Sequence, residues 1–231
     1  MFFYDQQGTS HATESNFMYK VYAWMCGALA ATAVSAFFVV SSPAIMSIVF
    51  RPFVLFGLMI GQFALVIMLS AMIRKLSFAA AIAMFSVYAV SLGVTLSTIF
   101  MVYTEGSIYS TFIVASGMFG SMAIYGAFTK MDLSTVGSYA IMALWGLILS
   151  MVINIFLQSH QFDFLISIVG VAVFVLLTAV DAQKIKHLGQ QLIADRQTLD
   201  KVALVCALSL YLDFINLFLF LLRLMGQRRE S

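Results

Sequence analysis

The chain has 231 residues, of which 62% are hydrophobic and 10% are charged, and its mean hydropathy is +1.01. Ordinary soluble domains are about 45–50% apolar and about 25% charged. The twelve basic and ten acidic side chains cannot cover the surface of a water-soluble globule. The net charge of +2 forms no basic stripe, so no nucleic-acid partner is expected. Composition thus excludes a soluble enzyme and a disordered chain, and it indicates a polytopic membrane protein whose surroundings are the lipid bilayer.

Seven apolar stretches are long enough to cross the hydrocarbon layer, which takes about 20 helical residues. Short polar breaks separate the stretches, and both prolines, Pro43 and Pro52, lie in such breaks. The alternating segments of about ten residues that form a membrane barrel are missing from the sequence. The sequence therefore predicts an all-α protein with spans at 21–40, 53–73, 78–103, 108–128, 136–157, 164–181 and 202–224.

A single transmembrane domain over residues 21–225 then leaves a short N-terminal tail (1–20) and a short basic C-terminal tail (226–231). The first tail lacks the basic start, apolar stretch and cleavage site of a signal peptide. Positive residues concentrate in short cytoplasmic loops, and seven spans place eight of the twelve Lys and Arg residues on the side of the N-terminus. We expect a cytoplasmic N-terminus and an external C-terminus. The rival topology has six spans and a half-inserted last helix, with both ends inside.

Small residues at helical spacing indicate close helix packing, because lipid supplies no hydrophobic drive between helices. Three predicted spans carry such faces, and we expect them to pack within the bundle. The residues are Gly57 and Gly61, then Ser116, Gly117, Gly120 and Ser121, and finally Gly146, Ser150 and Asn154.

Two acidic residues lie within predicted spans, although a charge at membrane depth costs roughly 2.5–3.5 kcal/mol. Asp213 occupies the centre of the last span, on one helical stripe with Ser209 and Asn216. Asp181 closes the sixth span and follows Thr178 by three residues. We expect both polar stripes to face protein, while Leu204, Leu208, Leu212 and Leu219 point elsewhere.

If the last two spans are antiparallel, the two aspartates differ in depth by about one or two helical turns, a gap that helix tilt and the uncertain span ends permit to close. Two carboxylates within about 5 Å of each other in a low-dielectric site cannot both ionise comfortably, so a pair would hold one proton near neutral pH. Such a pair senses pH, and when fully deprotonated it could bind a hard cation such as Ca²⁺. The alternative is that each aspartate separately fixes packing through hydrogen bonds. Arg74, at the cytoplasmic end of the second span, is the natural cation to reach a carboxylate or else a topology anchor.

The residues around the aspartates, TAVDAQK at 178–184 and YLDFINLF at 211–218, resemble the paired C-terminal signature of the Bax inhibitor-1 (lifeguard) family. LGVTLS at 92–97, FGSMAIYG at 119–126 and TKMDLS at 129–134 extend the resemblance over the chain after residue 20. The short tail without a Pro-rich segment is more similar to bacterial members, which implies the bacterial cytoplasmic (inner) membrane.

The resemblance implies a seven-helix bundle with the last helix at its centre. It also implies a pH-sensitive Ca²⁺ leak governed by an aspartate pair that matches Asp181 and Asp213, with Arg74 as the best match to a latching arginine. Ca²⁺ and protons would be the transported or sensed ions, and no cofactor is implied. Some bacterial relatives associate with a membrane-anchored quality-control protease, so a non-conducting modulator of other membrane proteins is the alternative.

Enzyme chemistry finds little support in the motifs. Intramembrane aspartyl proteases carry Tyr-Asp and Gly-x-Gly-Asp, whereas Leu212 separates Tyr211 from Asp213 and Ala179-Val180 precede Asp181. A retinal protein needs a mid-membrane lysine and a serine intramembrane protease needs a buried histidine, and the predicted spans have neither. We expect that the protein is not an enzyme.

Overall fold

The computed structural model describes the backbone of residues 5–73, 75–191 and 196–229, and the side chains of residues 15–73, 75–191 and 198–229. In this part of the chain the regular structure is helical. The helices are α1 (Asp5–Val40), α2 (Pro43–Val49), α3 (Pro52–Met72), α4 (Phe78–Leu96), α5 (Ile99–Val102), α6 (Glu105–Phe128), α7 (Ser134–Leu157), α8 (His160–Gln191) and α9 (Arg196–Met225).

Seven helical segments are long and apolar enough to span a membrane, which confirms the predicted all-α, seven-span class. The short helix α2 is an addition in the first loop, and the third span is divided into α4 and α5. Helix α1 continues back through most of the predicted tail, and α8 runs ten residues beyond Asp181. Hydropathy marks where a helix leaves lipid, whereas Gln, Lys and Leu in the flanks are good helix formers that extend it into the polar region.

Local sequence explains several helix ends. The side chains of Ser77 and Thr104 accept hydrogen bonds from the N–H groups of Ala80 and Ser107, and so cap the starts of α4 and α6. Pro43 and Pro52 stand in the first turns of α2 and α3, where a missing N–H costs nothing. Gln158 ends α7 with a left-handed backbone at φ 50°.

The last span is the most buried of the seven. In its most apolar window 72% of residues are buried, against 11–50% in the other spans. Leu204 and Leu208 are buried as fully as the polar stripe, so the expectation that these leucines point away from protein is wrong. Leu212 and Leu219 are half-buried. A helix covered on most of its circumference needs no single polar face to mark its inside.

The contacts divide the chain into two units, one of residues 1–102 and 188–211 and one of residues 103–187 and 212–231. In the first unit, the Tyr211 hydroxyl lies 2.6 Å from Thr32 Oγ1, and the Tyr211 ring makes edge contacts with Phe85 and Tyr88. Thr32 also donates to the carbonyl of Ala89 at 3.0 Å. These contacts join α1, α4 and the first half of α9.

The second unit holds the rest of α9 together with α6, α7 and most of α8. Ring contacts of 5.4 and 5.5 Å join Phe112 and Phe119 of α6 to Phe214 of α9. Phe174 of α8 stacks on Phe220 of α9 at 5.8 Å. The two predicted aspartates both belong to this unit.

Close helix approach does not occur at the predicted small-residue faces. A methyl group built on Gly57, Gly61, Gly117, Gly120 or Gly146 would meet no heavy atom within 4 Å. The tight contacts lie instead at Gly93, whose methyl would overlap Ser35 and the Thr32 carbonyl, and at Gly126, whose methyl would overlap the Ala179 backbone. The prediction that those spaced glycines pack within the bundle is therefore wrong, because spacing does not tell which face of a helix meets a neighbour.

We expect Gly93→Ala to destabilise the protein by about 1–3 kcal/mol, because the added methyl must displace the backbone of α1. Gly61→Ala is the matched control: its methyl has free space, and alanine favours a helix over glycine by roughly 1 kcal/mol. Thermal unfolding of the purified protein measures both changes. Equal destabilisation by the two substitutions would contradict the assigned α1–α4 contact.

Candidate functional site

Asp213 is a buried carboxylate in the middle of the last membrane span. Its residue is 6% exposed, and its Oδ2 atom has no hydrogen-bond partner in the described part of the chain. A buried polar atom without a partner costs about 1–3 kcal/mol, and a charged one costs more. The fold therefore bears a cost at Asp213 that packing alone does not require.

Asp181 lies on α8 in a different setting. Its side chain is 15% exposed, and Oδ1 accepts a hydrogen bond of 3.2 Å from Lys184 Nζ, one helical turn further on. The Lys184 side chain is 54% exposed, so its ammonium group reaches the polar region while its stem lies along the helix. Asp181 thus has a cation partner, whereas Oδ2 of Asp213 has no hydrogen-bond partner among the described residues.

Both aspartates belong to the same unit, as does Lys184 on α8. Two carboxylates that lie close together make each other's ionisation less favourable, and a nearby ammonium group opposes that effect. Contact between the two carboxyl groups stays a prediction.

Two of the other polar residues on the stripes donate hydrogen bonds to carbonyls of their own helices. Thr178 is fully buried and donates to the carbonyl of Phe174 at 2.7 Å. Asn216 donates to the carbonyl of Leu212 at 2.8 Å. Ser209 is half-buried and has a partner. The donated hydrogens of Thr178 and Asn216 therefore go to the backbone rather than to the aspartates.

The predicted latch, Arg74, lies outside the described residues. Among the described residues, Lys184 forms an ion pair with Asp181 that was not predicted from the sequence. Its signal was present in the spacing, because side chains three residues apart share one face of a helix.

The loop between α6 and α7 is fixed to α8 close to this site. The Gln183 side chain accepts from the N–H of Leu133 at 2.8 Å and donates to the carbonyl of Met131 at 2.7 Å. In the same loop, hydrogen bonds from Ser134 hold the pKa of the exposed Asp132 carboxyl below its usual value. That contribution to stability is present at neutral pH and is lost as the pH falls through the lowered pKa.

At the opposite end of this unit, the C-terminal tail is bound to the start of α6. The N–H of Thr104 donates to the carbonyl of Gln227 at 3.0 Å, and the N–H of Gln227 donates to Ser107 Oγ at 2.9 Å. Arg229 lies 3.5 Å from Glu105, so the basic tail meets an acidic helix start. Sequence analysis had considered the tail only as a topology signal.

A metal site of three or more protein ligands is not formed by the His, Cys, Asp and Glu side chains that the structure describes. Asp181 and Asp213 would together supply two carboxylate ligands. Two carboxylates form an incomplete shell for Ca²⁺, which takes six to eight oxygens, so water would complete it.

Comparison with known proteins finds relatives whose sequences match this chain over almost their whole length. The profile of the family described as Inhibitor of apoptosis-promoting Bax1 matches residues 14–230. The chain is 48% identical to the inner membrane protein YbhL of Escherichia coli K12 over 92% of both chains. It is 44% identical to an uncharacterized protein of Borreliella burgdorferi over 94% of both chains, and 37% identical to one of Deinococcus radiodurans over 92% and 90%.

We expect Asp213→Asn to raise the stability of the fold by about 1–3 kcal/mol at pH 7, because it replaces a buried ionisable carboxyl, whose Oδ2 has no partner among the described residues, with a neutral amide of the same shape. Asp163→Asn is the matched control on α8: this carboxylate lies 3.6 Å from Arg223 in a partly exposed pair, so its loss costs roughly 1 kcal/mol at most. Thermal unfolding in detergent measures both. A less stable Asp213→Asn protein would show that the carboxylate serves packing.

Proposed function

Because the chain belongs to the Bax inhibitor-1 family and is a multi-pass inner membrane protein, we propose that it lets Ca²⁺ leak across the membrane in a pH-sensitive manner. Asp181 and Asp213 are the proposed ion-pathway and pH-sensing residues. The family gives the premise, and the chemistry of these two side chains supports the specific activity.

The observation that carries the proposal is the buried, unpartnered oxygen of Asp213 at mid-membrane. Ionisable residues at membrane depth are costly and usually mark ion or proton pathways. A carboxylate that gave only stability would have its lone pairs satisfied, as the backbone-bonded hydroxyl of Thr178 is. Asp213 therefore has the properties of a residue kept for transport or sensing.

Protonation supplies the switch. With both carboxylates ionised, their repulsion in a low-dielectric setting favours either a bound cation or a separation of the helices that carry them. Uptake of one proton removes the repulsion and weakens the attraction for Ca²⁺. The leak then follows pH because α9 is biased between two positions by the charge of the pair.

Lys184 is a further charged group in this proposed protonation switch. Its ammonium group lies 3.2 Å from Asp181 Oδ1. Arg74 is the proposed second cation for the pair. When a cation neutralises one carboxylate, the net charge near Asp213 depends on the protonation of the few ionisable groups that remain.

Several further properties belong to the same proposal. The N-terminus is cytoplasmic and the C-terminus external, following the division of eight and four Lys and Arg residues. Ca²⁺ is the transported ion and no cofactor is needed. The protein catalyses no covalent reaction, because the aspartates lack the flanking motifs of an intramembrane aspartyl protease.

A second candidate function is modulation of another membrane protein, such as a membrane-anchored quality-control protease, without conduction. The observation that favours it is helix α3, where only 11% of the most apolar window is buried and the small-residue face of Gly57 and Gly61 is open. Small residues let a partner helix approach closely in lipid.

We expect liposomes that contain the purified protein to leak Ca²⁺ at a rate that changes with pH. Asp213→Asn should change that rate about tenfold or more and flatten its pH response, because removal of a mid-membrane charge alters the barrier by more than about 1.4 kcal/mol. Flux is read from a Ca²⁺ dye trapped in the liposomes.

Asp163→Asn is the control, since it removes a carboxylate from the start of α8, far along that helix from Asp181, and should leave the leak unchanged. An Asp213→Asn protein with the rate and pH profile of the native chain would contradict the proposal. Tight liposomes, combined with a defined crosslinked partner in native membranes, would favour the modulator instead.

A further inference from the structure

Thr111 carries a second buried polar atom that has no hydrogen-bond partner in the described part of the chain. The residue is 0% exposed, and its Oγ1 shares this condition with Oδ2 of Asp213. Other hydroxyls of α6 behave differently: Ser110, Ser116 and Ser121 each donate to a carbonyl three or four residues earlier. Thr111 does not make this hydrogen bond to a carbonyl of its own helix, so its hydroxyl points elsewhere.

The position of Thr111 relates it to both Asp213 and the C-terminal tail. Helix α6 begins, and α9 ends, at the tail, because Thr104 and Ser107 bind Gln227 there. Thr111 lies six residues inside the start of α6, about 9 Å, and Asp213 lies twelve residues inside the end of α9, about 18 Å. Measured along the helix axes, Thr111 and Asp213 are therefore roughly 9 Å apart, which is about three hydrogen-bond lengths.

The two helices are in direct contact along this stretch. Phe112, beside Thr111, makes ring contacts of 5.4 and 6.2 Å with Phe214 and Phe218. Phe214 in turn follows Asp213. Ser107 and Thr111 are four residues apart, so they lie on one face of α6, and both are buried. This face of α6 thus carries two buried hydroxyls inward from the tail, on a helix that packs against the part of α9 that holds Asp213.

The tail covers the outer end of this face. Ser107 Oγ accepts from the N–H of Gln227 at 2.9 Å and from Thr104 Oγ1 at 3.0 Å. A methyl group on Gly226 would collide with the Tyr103 ring, so glycine lets the tail turn closely over the helix start. Arg229 adds a partly exposed ion pair with Glu105.

We propose that Ser107 and Thr111 line the tail-side half of an ion path that leads to Asp213, and that residues 226–229 close its mouth. This inference rests on the proposed function for what moves through the path, namely a hydrated hard cation, which hydroxyl and carboxylate oxygens suit. The path itself is a structural claim, which can be tested without measuring transport.

The test of the path is cysteine labelling in lipid nanodiscs, with a cationic, water-soluble methanethiosulfonate reagent. The background is a Cys26→Ala, Cys206→Ala protein, which removes both native thiols. We expect Thr111→Cys to be labelled, and deletion of residues 227–231 to speed the labelling about tenfold, because the tail loses two backbone hydrogen bonds and an ion pair.

Ile113→Cys is the matched control: it lies on the same helix at nearly the same depth, but its side chain is 71% exposed on the lipid face, where the reagent and thiolate are both disfavoured. We expect no labelling there, with or without the tail. Thr111→Cys labelling no faster than that of Ile113→Cys in either protein would overturn the proposal, and so would a rate unaffected by deletion of the tail.

The rate of Ca²⁺ leak through the protein provides a second test of the proposed path. Thr111→Val keeps the shape of the side chain but removes the hydroxyl, and we expect it to lower the Ca²⁺ leak about tenfold, whereas Thr111→Ser keeps the native rate. Ser116→Ala, an exposed hydroxyl bonded to its own helix, is the control. If the native protein does not leak, the proposed function fails while labelling still decides the path. If it leaks and Thr111→Val leaks equally, the path is wrong and the function stands.

Discussion

The structure depends on one constraint: within the hydrocarbon layer a polar group must find its partner in the protein, because no water competes for it. The spans meet this demand largely within their own helices. Hydroxyls such as those of Thr178 and Ser150 donate to carbonyls one turn back, and the Asn216 amide does the same. Against this background Asp213 Oδ2 and Thr111 Oγ1 are exceptions, because they have no hydrogen-bond partner among the residues that the structure describes.

Hydropathy predicts the number of spans but not where the helices end, and this difference has a physical reason. Seven apolar stretches fixed the number of spans, because lipid demands length and apolarity whatever the packing. The end of α8 at Gln191 was missed, since a helix continues past the lipid as long as its residues favour it and nothing caps it. Asp181 therefore stands inside a continuous helix instead of at its end, and that places Lys184 one turn away.

Packing was harder to predict than topology. The close approaches at Gly93 and Gly126 involve glycines outside the spaced pairs, and the spaced pair Gly57 and Gly61 faces open space. Spacing reports which residues share a face, but the identity of the neighbouring helix depends on the whole bundle. The aspartates were predictable because their signal is energetic: a charge at membrane depth stands out in any arrangement.

The two aspartates have unequal tasks. Asp181 lies near the exposed ammonium of Lys184, so water and a mobile cation can compensate its charge. Asp213 is buried on a helix that is covered almost all round, and its second oxygen has no partner among the described residues. A change in protonation alters the energy of the bundle most where compensation is least. In the proposed function, Asp213 is therefore the residue through which pH would act on α9, with Asp181 and Lys184 as its charged neighbours on α8.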